Sequence, residues 1–485
     1  MRSNMRAAVG GVAAGTIAAL LLAAPHAAQA QSGGQAPLTA QEAQALQAEL
    51  QQMRSDSDAA RRQEAQRERR IDEIEQRLQQ ATGVAPTTQA GDQTQIMEIP
   101  PTSDLNPEAN LAPNPNDRFQ IYGFAQTDYI QDFKRVDPAW ADTLRPSKIP
   151  TVPGAFGSDG QSLFSIKQSR LGFQGATDLL GKPATFKFEF DLFGVGADAG
   201  QTTMRIRHVY ATWGPFLFGQ TNTLFMDGDI FPNTIDYWGP PGMVFLRNPQ
   251  FRWTIVNGAH NRFAIAIEKP GNDADAGQLR QVDPSLAVSS KNVVPDFTAQ
   301  YRYTGGWGHL QIAGILRDLG FETIGNQANE PKGDVLGWGV DVTTSVKTWG
   351  SDKILFGIVY GEGIANLMND GGTDLAAGGS LAHPNAEAVP LLGISAYYDH
   401  YWNKHFSTSL GWSETQVWNR SLQLGDAFNQ GQYASVNLLW TPDPRLLFGG
   451  ELLWGRRQDN NGDNGDDVRM QFSAKYSFTS KDWFQ

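Results

Sequence analysis

The chain has 485 residues and no cysteine. If it is exported, its fold must be held without disulfides, through its hydrogen-bonded ladders. Beyond the N-terminus it also lacks any run of about eighteen apolar residues, which excludes helical membrane spans. A membrane-spanning strand barrel survives that test, because its lipid-facing residues alternate with polar ones and average out. Histidine is scarce, with 7 scattered along the chain, too dispersed for a Ser-His-acid centre. Nucleophile elbows and phosphate loops are missing too. The cluster Gly361-Glu362-Gly363 has neither the lysine nor the hydroxyl that a phosphate loop needs. No catalytic residue and no cofactor is therefore expected. A metal is not expected either. His400 and His405 lack a ligand spacing. The stretch 459–467 has Asn464 where a calcium loop needs Gly, and Met470 falls where its bidentate Glu belongs. Net charge is -12, which disfavours nucleic acid as a partner.

What is present is glycine (51 residues), tryptophan (13) and 11% aromatic residues overall, material for turns, close strand packing and interfacial girdles. The N-terminus reads as a secretory signal over 1–30. Arg2 and Arg6 open it, an apolar stretch follows from Ala7 to Ala24, and Ala28-Gln29-Ala30 fits the small-x-small cleavage pattern. Cleavage there removes two arginines and no acid, which takes the charge from -12 to -14. The mature N-terminus is expected at Gln31. Mass spectrometry of the purified mature protein checks this, and a chain starting at Met1 or Met5 would refute it.

Residues 31–82 read as a periplasmic coiled-coil helix. Leu46, Leu50, Met53, Ser57, Ala60, Glu64, Arg67, Ile71, Ile74 and Leu78 fall on alternating steps of four and three. Ser57, Glu64 and Arg67 weaken the seam, so association through it needs support from a larger assembly. Residues 83–116, rich in Pro, Thr, Asn and Gln, read as an extended linker.

From 117 to 485 the pattern is that of a transmembrane antiparallel β-barrel. In TFKFEFDLFG, Phe186, Phe188, Phe190 and Leu192 share one face, while Lys187, Glu189 and Asp191 share the other. In the last strand Val468, Met470, Phe472, Ala474, Tyr476 and Phe478 oppose Arg469, Gln471, Ser473, Lys475 and Ser477. About sixteen such segments can be counted, near 119–130, 162–177, 184–194, 203–213, 216–223, 250–257, 262–269, 296–304, 307–321, 334–348, 353–363, 391–401, 406–418, 432–441, 445–456 and 468–478. Short connections alternate with long polar ones, including 419–431 and 457–467. Periplasmic turns alternating with outer loops require this parity, and a soluble sandwich does not. The long connection 224–249 mixes Phe, Trp, Tyr and Ile with Asp227, Asp229 and Asp236, which suits a loop folded into the barrel as a constriction.

SLFSIKQSRLGFQGATD, TFKFEFDLFG, MRIRHVYATWGPFLFGQTNTLF and the terminal SAKYSF resemble the DcaP-like family of Gram-negative outer-membrane porins, over about 119–478. The resemblance implies a homotrimeric sixteen-stranded porin of the outer membrane, with a periplasmic helix and a preference for small anions, notably dicarboxylates. One departure is the tail TSKDWFQ after Phe478, where such barrels usually end on an aromatic residue. Either Phe478 remains the assembly signal or Trp483-Phe484 replaces it.

An anion filter needs Arg or Lys on lumen faces, Arg above all because its planar fork meets a carboxylate with two hydrogen bonds. Arg170, Arg205, Arg207, Arg252 and Arg302 are the pore candidates, with Asp227, Asp229 and Asp236 on the inserted loop. The opposing expectation is that these arginines pair with Glu189, Asp191, Glu268 or Asp341 and merely fill the wall. Expected partners are outer-membrane lipid, small anionic solutes and, through the coiled coil, peptidoglycan. The alternatives of another class are a structural tether and a rim-sited hydrolase.

Overall fold

A computed structural model describes residues 119–482. The signal, the coiled-coil helix, the linker and Trp483-Phe484 lie outside these residues. The described part is almost wholly strand: β1 (Gln120–Asp132), β2 (Gln161–Ser165), β3 (Arg170–Leu179), β4 (Lys182–Phe193), β5 (Thr202–Trp213), β6 (Phe216–Asn222), β7 (Arg247–Asn257), β8 (Asn261–Glu268), β9 (Ala274–Asp275), β10 (Ala287–Ser290) and β11 (Asp296–Gly305). There follow β12 (Gly308–Ile324), β13 (Gly333–Lys347), β14 (Lys353–Glu362), β15 (Leu375–Ser380), β16 (His383–Ala388), β17 (Pro390–Tyr401), β18 (Phe406–Val417), β19 (Phe428–Asp443), β20 (Leu446–Asp459) and β21 (Asn464–Thr479).

Eighteen of these form one sheet, and β9, β15 and β16 form a small separate one among the loops. The sheet closes on itself, because β1 pairs antiparallel with β21 from Tyr122↔Thr479 to Asp132↔Arg469. Two wall positions are each shared by two segments. β2 and β3 both pair with β1, and β10 and β11 both pair with β12. The wall therefore has sixteen positions, and closure leaves it no edge. Among the described residues no helix is long and apolar enough to cross a membrane.

The break between β2 and β3 interrupts the segment expected to run through 162–177. Gln168 turns inward there, donating to Asp128 Oδ2 at 3.0 Å and to the carbonyl of Ile235 at 2.9 Å. The Ser169 hydroxyl takes over the ladder, accepting from the Gln126 amide at 3.0 Å. The last hairpins reach further than the alternation implied. β19 begins at Phe428, and β20 and β21 pair as far as Gln458↔Asn464, so the expected loop 457–467 shrinks to the turn 460–463. Hydrophobic alternation marks only the lipid-facing part of a strand, whereas the hydrogen-bond ladder continues into water with Asn, Asp and Gly.

Outward faces are apolar and bare of protein cover. Phe164, Met204, Phe251, Leu316, Leu438 and Phe472 are all exposed. Such a surface is costly in water, at roughly 25 cal/mol per Å², and costs nothing against lipid. Aromatic rings gather near the short turns, where Trp307 stacks on Tyr303 at 6.5 Å and Trp440 on Phe406 at 6.4 Å. At the other end Trp338 and Trp418 flank Tyr360. Two such belts bracket an apolar band.

The interior is filled by loops on one side. Residues 223–246 carry Phe225, Met226 and Val244 onto the inward Ile315, Val359 and Leu391. Ile230 and Met243 join Leu144 and Ile149 of the connection 133–160 against Leu355, Tyr433 and Leu453. Gly242 shows how closely this loop approaches the wall. A Cβ there would lie 2.2 Å from the carbonyl oxygen of Glu414 and 2.5 Å from that of Ile394. Only glycine lets the loop touch β17 and β18 backbone to backbone.

Candidate functional site

Alternation along β3, β4 and β5 turns Arg170, Lys187, Glu189, Asp191, Arg205 and Arg207 toward the lumen, and neighbouring registers bring them together. Asp191 sits in register with Arg170 on one side and Arg205 on the other. Arg205 grips it with both arms, Nε at 3.0 Å and Nη2 at 2.5 Å. Arg207, 2% exposed, bridges Glu189 Oε1 at 2.7 Å and Asp191 Oδ2 at 3.1 Å. Arg170 lies 3.7 Å from Glu189 and over the Phe124 ring. Lys187 is 3.3 Å from Glu189. Four cations thus surround two carboxylates, which leaves a local excess of positive charge. The inserted segment meets this cluster through Tyr237, whose hydroxyl donates to Asp191 at 2.6 Å and also contacts both Arg205 and Arg207.

The other candidates lie elsewhere on the wall. Arg252 on β7 donates to Gln250 Oε1 at 3.0 Å and to the carbonyl of Asn222 at 2.7 Å, holding the start of the inserted segment. Arg302 on β11 reaches Asp227 at 3.2 Å, Gln311 at 3.2 Å and Asp229. Asp227 also contacts His309 Nε2 at 2.7 Å and accepts from Thr343 Oγ1 at 2.7 Å. Asp227, Asp229 and His309 bring donor atoms within 4.8 Å of one another, but Arg302 already supplies the positive charge a cation would bring.

Asp236 does not join the arginine cluster. It accepts from Thr143 Oγ1 at 3.0 Å and from the amides of Leu144 at 3.1 Å and Gly239 at 3.0 Å, with the Tyr433 hydroxyl at 3.3 Å. Beside it, Glu451 accepts from the amides of Ile235 at 2.9 Å and Asp236 at 3.3 Å. Asp236 is therefore a fastener between two loops and the wall. The carboxylates facing the arginines of β5 come from β4 rather than from the inserted segment.

Sequence alternation missed a second basic group. A cavity of about 590 Å³ opens between the connections 133–160, 223–246 and 363–389 and the wall at β5–β7. Its lining includes Arg145, Lys148, Arg205, Arg247 and Arg457 against Asp273 and Asp370. Arg145 is held between two indoles, 4.2 Å from the Trp140 centroid and 4.5 Å from that of Trp238, and it pairs with Asp370 at 2.8 Å. Arg457 donates to the carbonyl of Ser147 at 2.8 Å and pairs with Asp459 at 2.6 Å. Burial first, then the neighbouring Arg145, push the Lys148 ammonium below its ordinary value. Four of these five cations lay in segments read as connections, where no periodicity says which way a side chain points.

The family described as DcaP outer membrane protein matches residues 116–478. Among solved structures, the outer membrane channel DcaP of Acinetobacter baumannii aligns with a TM-score of 0.64 and 23% identity, covering 76% of this chain and 99% of that one. The anion-selective porin from Comamonas acidovorans aligns at 0.47 and 11%, covering 75% and 100%. Salmonella typhi OmpF aligns at 0.46 and 10%, covering 76% and 99%. No curated protein sequence matches the chain. On a family match spanning the entire closed barrel, this chain belongs to the DcaP outer membrane protein family.

Proposed function

We propose that this outer-membrane porin passes small hydrophilic solutes, prefers anions with dicarboxylates among them, and works as a homotrimer whose inserted segment 223–246 narrows the pore. The observation that carries the reading is the cavity lined by five cationic side chains and two carboxylates. In a confined space with low-dielectric walls, such an excess raises the local concentration of anions. Arg205 belongs both to this cavity and to the β3–β5 cluster, where four cations face two carboxylates, so the positive zone continues from the cavity into the wall. Arginine forks along this zone suit carboxylates, and several weak contacts permit release.

The test is the reversal potential of the purified protein in a planar bilayer across a KCl gradient. An anion-preferring potential, with current block by added glutarate, is expected. A cation-preferring pore would overturn the reading. Trimer formation has its own test. Deleting 31–116 is expected to leave trimers in mild detergent, because the heptad seam is broken at Ser57, Glu64 and Arg67. If only monomers remain, the helix and not the barrel wall is the main interface.

A further inference from the structure

The cations of the cavity differ in how they are held. Arg145 is paired with Asp370, Arg205 with Asp191 and Arg457 with Asp459, so each presents a partly neutralised fork. Arg247 does not share this state. Among the described residues it has no hydrogen-bond or ion-pair partner, and its Nε is buried and unsatisfied. Its guanidinium carbon lies over the Phe245 ring, 4.6 Å from the centroid, a cation–π contact that restricts the side chain. It stands at the first residue of β7, opposite Asn222, where the inserted segment rejoins the wall, and it lines the cavity directly.

A buried donor left unmade is costly, and natural structures leave few of them. Nη1 and Nη2 also lack a protein partner among the described residues, and at the wall of a water-accessible cavity a ligand can supply what the protein withholds. Resting on the anion-channel reading above, we propose that Arg247 is the docking residue of the vestibule: a permeating carboxylate or phosphate group makes its two-armed contact there before it reaches the β3–β5 cluster. The contact with Phe245 pre-orders the fork, so little side-chain freedom is lost when an anion binds. Because no protein carboxylate must be displaced, Arg247 takes up the anion ahead of Arg145, Arg205 and Arg457. Oriented two-point contact also makes this residue selective for oxyanions over chloride, which cannot span the fork.

The experiment compares glutarate block of the KCl current, and reversal potential, in the full-length protein and three variants. Arg247→Gln should weaken block about tenfold or more, the loss expected for a charge-assisted two-armed contact. Arg247→Lys keeps the charge without the fork, so it should retain chloride selectivity while block still weakens. Arg280→Gln removes the same charge from an exposed position and should leave block unchanged. Unaltered block in Arg247→Gln, in a pore that prefers anions, would overturn the docking role and leave the channel reading standing. A wild-type pore that prefers cations would overturn the reading on which it rests. Should the Gln variant fail to insert, wild-type block in Arg247→Lys would be equally decisive against the role.

Discussion

Replacing Arg205 and Arg207 together by alanine is expected to move the reversal potential toward cations and to weaken block by a dicarboxylate. Net charge argues the other way, since the chain is at -12 and wild type would be taken for a cation channel. Exposed charges, however, are screened within about 8–10 Å at physiological salt, so a permeating ion feels chiefly the groups beside it. Around Glu189 and Asp191 those groups are Arg170, Lys187, Arg205 and Arg207. Removing two of the four erases the local excess of positive charge. The same change strips Asp191 of both its arginine contacts and leaves it the Tyr237 hydroxyl at 2.6 Å and the Phe193 amide at 3.1 Å. Breaking a buried pair from one side costs about 3–5 kcal/mol, so thermal stability should fall as well. Arg207→Ala should account for most of the stability loss, being the deeper residue, and Arg205→Ala for more of the block, being the one that lines the cavity. A double variant with wild-type selectivity would mean that the filter lies elsewhere.

The second large effect concerns the inserted segment. The double change Asp227→Ala and Asp236→Ala is expected to raise single-channel conductance and blunt selectivity together. Asp227 ties the front of the segment to β11, β12 and β13 through Arg302, His309 and Thr343. Asp236 ties its middle to the connection 133–160 and to β19. Each substitution leaves buried donors unpaired, and loss of Asp227 also takes one of the carboxylates beside Arg302, so roughly 3–5 kcal/mol is lost there. The apolar contacts of Phe225, Ile230 and Met243 remain, and they keep the segment near the wall without fixing its register. A wider, noisier pore follows. Unchanged conductance in the double variant would show that packing alone positions the segment. Lower conductance would show that release closes the pore.

Much of the wall was legible from residues alone. A strand in lipid must show apolar side chains outward at period two, and nothing else can stand there, so Phe186, Phe188 and Phe190 announce both their strand and its faces. Sixteen positions and the alternation of short with long connections follow from the same constraint, and the barrel has both except at β20–β21, where the expected long connection is the turn 460–463. The errors fall where the constraint lapses. Above the lipid, β20 and β21 continue through Gln458 and Asn464, because backbone pairing needs no apolar face. The break at 166–169 depends on Gln168 finding Asp128 and Ile235 across the interior.

The candidate site divides along the same line. Period two by itself placed Arg170, Arg205 and Arg207 on lumen faces beside Glu189 and Asp191, since the direction of a strand residue is fixed by its parity. Only tertiary structure decided that Tyr237 and not Asp236 meets those arginines. It alone brought Arg145, Lys148 and Arg457 around one cavity and left Arg247 there without a partner among the described residues. A loop has no period, and its side chains point wherever the fold of the whole chain leaves room and an unmet charge.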